Sequence, residues 1–224
     1  KIAKKRLIQM GENKKNIYTV GSPDVDIILS KSLPTLKEVK KRYDINFDKF
    51  ATAILHPVTT NIINLKKEAK IFFRSLAKTN KNFILIYPNN DHGSKYILNE
   101  LLKYKNSEKF KIFPSIRFEY YLTLLKNSEF IIGNSSSGIM EAPYYGVSTI
   151  NIGDRQKNRL KSFLIRNINF SERKILESIR FVKNRKISKR HFFGKGQSAK
   201  KILKLFKTNK IWKISNQKNF IDIL

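Results

Sequence analysis

The chain has 224 residues, 41% of them hydrophobic and including 16 Phe and 9 Tyr, enough to bury a core and to exclude a disordered chain. Cysteine is absent and His occurs three times, which excludes disulfides, thiolate catalysis and thiolate metal sites and points to chemistry without a metal or cofactor. The 46 Lys+Arg against 17 Asp+Glu give a net charge of +29. That excess is mostly Lys, spread along the whole length with abundant Ile and Asn, so it reads as compositional bias and not as a dedicated nucleic-acid surface.

The opening KIAKKRLIQMGE reads as a basic amphipathic helix, not a secretory signal. No apolar run approaches the roughly 20 residues of a membrane span, so neither a membrane partner nor a membrane location is expected, and the cytoplasm is. Ile17–Val20 reads as a short strand stopped by Gly21-Ser22-Pro23. Leu36–Tyr43 reads as a helix and Ala51–Leu55 as the next strand. A helix over Ile63–Lys78 carries Ile63, Leu65, Ala69, Phe72, Phe73 and Leu76 on its apolar positions. Strand Phe83–Tyr87, helix Lys95–Tyr104, strand Phe110–Phe113 and helix Glu119–Lys126 follow, the last with Tyr120, Tyr121, Leu124 and Leu125 inward. Strand Phe130–Gly133 feeds a helix over Gly138–Tyr145; then come strands Ser148–Ile152 and Phe163–Ile165. Helix Ser171–Lys183 starts at a serine cap, and a last basic helix begins near Ser198. Strand-length apolar runs alternating with helical patterns predict an α/β fold, a doubly wound parallel sheet whose ligands lie beyond the carboxyl ends of the strands.

Five polar loops follow five of these strands and would share one rim. They are His56–Asn61, Pro88–Ser94, Pro114–Arg117, Asn134–Gly138 and Gly153–Gln156. In the fourth, Ser135, Ser136 and Ser137 precede Gly138 at a helix start, where unpaired N–H groups and serine hydroxyls suit a phosphate. Glu141 could accept hydrogen bonds from two vicinal ribose hydroxyls. A plain helix cap needs only one serine; three before a glycine favour a ligand. His56 could stabilise a departing diphosphate as imidazolium or relay a proton as neutral imidazole, or it could simply cap the next element. Arg155 and Arg159 could grip phosphate oxygens in bidentate fashion, and Asn89 is either a turn residue or a sugar contact. His92 reads as exposed and His191 as structural. Carboxylates are scarce, and Asp154 is the one best placed on the rim.

The motifs HPVTTN at His56–Asn61, YPNNDHGS at Tyr87–Ser94, GNSSSGIMEAP at Gly133–Pro143 and IGDRQKNR at Ile152–Arg159 resemble the hydrolysing UDP-N-acetylglucosamine 2-epimerases in order and spacing. RLIQMGE at Arg6–Glu12, VGSPDVDIIL at Val20–Leu29 and FGKGQSAKKIL at Phe193–Leu203 resemble that family's crossover and closing helix, so the likeness covers nearly the whole chain. It implies one half of a two-domain, glycosyltransferase-B-type architecture with Rossmann-like halves. Residues 1–16 would be the end of a first domain, 17–190 the UDP-binding domain and 191–224 the closing helix and tail. It further implies anti-elimination of UDP from UDP-N-acetylglucosamine to a 2-acetamidoglucal, then addition of water to release N-acetylmannosamine for sialic-acid-type sugar synthesis.

Carried over by position, the turn at Ser135, Ser136, Ser137 and Gly138 binds the diphosphate and Glu141 the ribose. Arg155 meets the nucleotide phosphates, His56 the diphosphate and reacting sugar, and Asn89 the sugar. The backbone around Ser115–Phe118, with Ser115 and Ile116 on UDP, holds uracil. Arg159 transfers less directly, because Asn158 stands where glycine is usual. The family's first domain, with most of its catalytic carboxylates, has no counterpart here. This implies a missing domain or partner chain, and homo-oligomeric assembly is common in the family. UDP-N,N′-diacetylbacillosamine is the alternative substrate, and a basic nucleic-acid-binding module without catalysis is the alternative of another class.

Overall fold

The computed structural model describes residues 2–182, 191–215 and 217. The helices, in chain order, are α1 (Ile2–Gln9), α2 (Pro23–Ile28), α3 (Leu36–Arg42), α4 (Ile62–Ala77), α5 (Ser94–Leu102), α6 (Phe118–Asn127), α7 (Ser137–Met140), α8 (Ala142–Tyr145), α9 (Glu172–Phe181) and α10 (Ser198–Phe206). The strands are β1 (Ala51–Ile54), β2 (Phe83–Ile86), β3 (Phe110–Phe113), β4 (Phe130–Gly133), β5 (Ser148–Ile152) and β6 (Ile165–Ile168). They fall into two compact units, residues 2–30 with 193–217 and residues 31–192.

In the first unit, Asp26 of α2 accepts the backbone N–H groups of Ser198 and Ala199, each at 2.9 Å, and so caps the start of α10. Those two bonds hold its carboxyl below the usual carboxylate range.

The second unit is built on one six-stranded sheet in the order β3-β2-β1-β4-β5-β6, with every neighbouring pair parallel. Parallel strands are covered on both faces, which is why FILI and FIIG read as continuous apolar runs. One face packs Ala51, Ala53, Phe83, Leu85, Phe130 and Ile132 under Leu65, Phe72, Phe73 and Leu76 of α4, with α5 and α9 beside it. The alternate residues Ile54, Ile84 and Ile131 meet α3, α6 and α8 on the opposite face. Full burial of a Phe such as Phe72 or Phe83 contributes up to about 3 kcal/mol relative to exposure. This is the doubly wound arrangement expected from the sequence.

Some local expectations fail. Residues 17–20 form no strand and join no ladder among the described residues, because an apolar run of strand length supplies no partner by itself. Ile63 is 97% exposed: the buried face of α4 recurs from Leu65 through Ala69, Phe72, Phe73 and Leu76, and a residue two before Leu65 points away from it. The expected helix over Gly138–Tyr145 is two single turns joined at Glu141, since Pro143 lacks the N–H that would continue the ladder. The last strand runs further along the chain than expected, with Ile165 paired to Thr149 and Phe163 left exposed. The expected helix end at Lys183, the boundary at 190 and the extreme tail lie outside the described residues.

Candidate functional site

Strand order places the site. From β1 the chain builds outward through β2 and β3, then returns to lay β4 on the other side of β1. After β1 the chain turns to α4 on one face of the sheet and after β4 to α8 on the other, the switch point at whose crevice doubly wound sheets bind ligands. Here the loop of His56 meets the turn Asn134–Gly138.

The two loops are joined by one side chain. Asn134, 1% exposed, accepts the His56 backbone N–H at 2.6 Å through Oδ1 and donates Nδ2 to the His56 carbonyl at 2.8 Å. Its own backbone N–H donates to the Ile54 carbonyl at 3.1 Å. The loop after β5 arrives from the other side. Arg155 Nη1 and Gln156 Nε2 both donate to the Asn134 carbonyl, at 3.1 and 3.2 Å. Arg159 Nη1 donates to Gln156 Oε1 at 2.8 Å, so Arg159 stands one residue behind Arg155 in this chain of bonds. Asn158 adopts a left-handed φ of 63°, a region glycine favours and asparagine tolerates.

The loop after β2 closes on His56. The Asn89 backbone N–H donates to His56 Nδ1 at 3.0 Å, and Asn89 Nδ2 donates to Asp91 Oδ2 at 2.5 Å. An Nδ1 that accepts a bond carries no proton, so neutral His56 has its hydrogen on Nε2. Burial and then the Arg155 guanidinium push the imidazole pKa down to about 4, against the opposing pull of Asp91 and the Asn89 side chain. His56 is therefore neutral near pH 7. Asn89 Oδ1 is buried without a hydrogen-bond partner among the described residues, which leaves an acceptor beside the crevice.

The serine turn is braced from below. Gly138 packs so closely on β5 that an added Cβ would lie 2.5 Å from Thr149 Cγ2, while Thr149 Oγ1 donates to the Gly138 carbonyl at 2.7 Å. The Ser137 hydroxyl points inward to the buried Tyr121 hydroxyl, whereas Ser135 and Ser136 are half-buried at the surface of the turn. Ser135 Oγ accepts the Ser137 backbone N–H at 3.3 Å. Because α7 is a single turn, its macrodipole is small, and the electrostatics of the turn come from local N–H groups and Arg155. Glu141 sits at the joint of α7 and α8; burial first, and Glu141 second, push the Tyr145 phenol pKa up and so keep it protonated.

Four of the five predicted loops thus meet through hydrogen bonds. The fifth is tied elsewhere: the Arg117 N–H donates to Tyr43 Oη at 3.2 Å and Ile116 packs toward Ala142, while Ser115 is exposed. The sequence reading placed Tyr121 inward on its helix and gave Asn134, Gln156 and Thr149 no role of their own. His191 stacks edge-on against Tyr144, a structural contact as expected. Among the described residues no three His, Asp or Glu side chains converge to hold a metal, and no helix is long and apolar enough to cross a membrane.

Residues 1–207 match the family model described as UDP-N-acetylglucosamine 2-epimerase. A UDP-N-acetylglucosamine 2-epimerase of Neisseria meningitidis serogroup B is 42% identical over 222 residues, covering 97% of this chain and 59% of that protein. The GDP/UDP-N,N'-diacetylbacillosamine 2-epimerase (hydrolyzing) of Campylobacter jejuni is 40% identical over 166 residues, 72% of this chain and 43% of that one. The structure of the Methanocaldococcus jannaschii UDP-GlcNAc 2-epimerase in complex with UDP-GlcNAc and UDP shares the fold, with a TM-score of 0.73 at 22% identity over 92% of this chain and 59% of that one. The chain therefore spans about three fifths or less of these relatives. By its family match and these identities, it belongs to the UDP-N-acetylglucosamine 2-epimerase family.

Proposed function

We propose that this chain is the UDP-binding part of a hydrolysing UDP-N-acetylglucosamine 2-epimerase. The observation that carries the reading is the meeting of His56, Asn89, the Ser135–Gly138 turn and Arg155 at the switch point of the sheet. In this reading the diphosphate rests on the turn, with Ser135 and Ser136 hydroxyls and backbone N–H groups as donors and Arg155 opposite. Ser137 takes part through its backbone, since its hydroxyl is engaged by Tyr121. Glu141 accepts from the ribose hydroxyls and the backbone near Ser115 and Ile116 frames the base. Asn89 faces the sugar, and Arg159 acts through Gln156. His56 donates its Nε2 hydrogen to an oxygen of the leaving diphosphate.

The chemistry divides accordingly. Breaking the C1–O bond sends its electron pair to the UDP oxygen, where these donors and Arg155 stabilise the charge. Removal of the C2 proton and addition of water to the glucal need carboxylates that we assign to residues outside this chain. A cytoplasmic location, homo-oligomeric assembly and a first domain or partner chain completing the cleft belong to the same proposal. The substrate is taken as UDP-N-acetylglucosamine, on the higher identity and coverage of the relative bearing that name. UDP-N,N'-diacetylbacillosamine is the alternative.

Calorimetric titration with UDP tests the reading. The chain should bind UDP, and Glu141→Ala and Ser136→Ala should each weaken binding, by about tenfold for the loss of a hydrogen bond involving a charged partner. Equal affinity in all three proteins would remove the turn from the site. The chain alone should not convert UDP-N-acetylglucosamine, and robust turnover by it would contradict the division of labour.

A further inference from the structure

We infer that Asn134 is a positioning residue that locks His56 and the serine turn into one rigid unit, so that the diphosphate donors on both loops are set before ligand arrives. This rests on the reading of His56 and the turn as a diphosphate site. It also explains why a buried asparagine occupies the first position after β4.

The geometry leaves Asn134 little freedom. Its amide forms a two-bond bridge to the His56 N–H and carbonyl, which ties the loops after β1 and β4 together beyond their last ladder pair, Ile54 with Gly133. Its N–H is taken by Ile54 and its carbonyl by Arg155 and Gln156. Ser135 is the next residue in the chain, so any shift of Asn134 moves the turn. Any shift of the His56 backbone moves the imidazole away from the Asn89 N–H. A donor and an acceptor are both required on a side chain of this length. Asp lacks the donor, Ser lacks the reach, and either leaves a buried backbone group without its partner.

The coupling can be read without ligand. His56 faces Arg155 from the loop after β5 and Asp91 from the loop after β2, and both are unchanged in an Asn134 variant. Proton NMR titration of the His56 imidazole should give a midpoint well below 6.5 in the parent chain. In Asn134→Ala, which frees the His56 backbone and admits water, the midpoint should rise by at least about one unit. UDP affinity should fall about tenfold or more. Asn134→Ser, which adds no charge and lacks the reach for the bridge, decides the matter if the alanine variant does not fold; its His56 midpoint should rise as well. A folded variant with an unchanged His56 midpoint and UDP affinity within twofold of the parent would overturn the proposal. If the parent chain fails to bind UDP, the functional reading falls, while the His56 titration still tests the role of Asn134.

Discussion

Gly133→Ala should cost more than about 4 kcal/mol of folding stability, placing it among the rare substitutions that leave no native state to measure. Gly133 closes β4 at φ 132°, a backbone region L side chains rarely enter. A Cβ built there would lie 1.9 Å from the Ile54 carbonyl oxygen and 2.7 Å from its carbon, both backbone atoms that cannot swing aside. The same carbonyl accepts the Asn134 N–H, and Ile54 is the ladder partner of Gly133. Relief of the clash would therefore separate β1 from β4 where the candidate site begins. Urea denaturation of the variant, or its amide spectrum if it is too unstable to titrate, measures the effect. A loss below about 1 kcal/mol would mean that the strand ends are looser than described.

The second large effect concerns pH. The His56 pKa is lowered from 6.5 to about 4 by burial and by Arg155. Below 6.5 the unfolded chain gains a proton that the folded chain does not, so this contribution is whole above 6.5 and is lost as pH falls toward 4. The shift corresponds to about 3 kcal/mol over that window. The parent chain should therefore lose more stability between pH 7 and 4 than His56→Gln does, by about that amount, in parallel denaturation curves. Identical pH dependence would mean that His56 is not buried neutral. Bound UDP should reverse the sign of the local field, since a diphosphate beside the imidazole favours its charged form and raises the His56 midpoint.

Much of this was legible in the amino-acid sequence. Parallel strands are buried on both faces, so FILI and FIIG announced themselves without alternation, and the polar loops after them marked the rim. The naming of UDP rested on the likeness of four ordered motifs and not on spacing. Asn134 was hidden because its role depends on strand order: nothing in consecutive runs says that β4 lies beside β1, and without that neighbour Asn134 is one loop asparagine among several. Tyr121 reads as core by its helical position, and its ring is buried, but its hydroxyl serves Ser137. Pro143 was a visible signal that the helix after the turn would break, and the break puts Glu141 at a joint between two turns.

With a net charge of +29, a nucleotide diphosphate could bind many lysines weakly, so affinity alone does not place it. The direct test is amide chemical-shift mapping of the chain on addition of UDP at moderate salt. The account predicts saturable shifts concentrated at His56, Asn89, Asn134–Gly138, Glu141 and Arg155, lost in Arg155→Ala. Shifts spread over lysine-rich surfaces, or centred on the groove near Lys78, Lys81 and Arg180 at the far ends of α4 and α9, would contradict it.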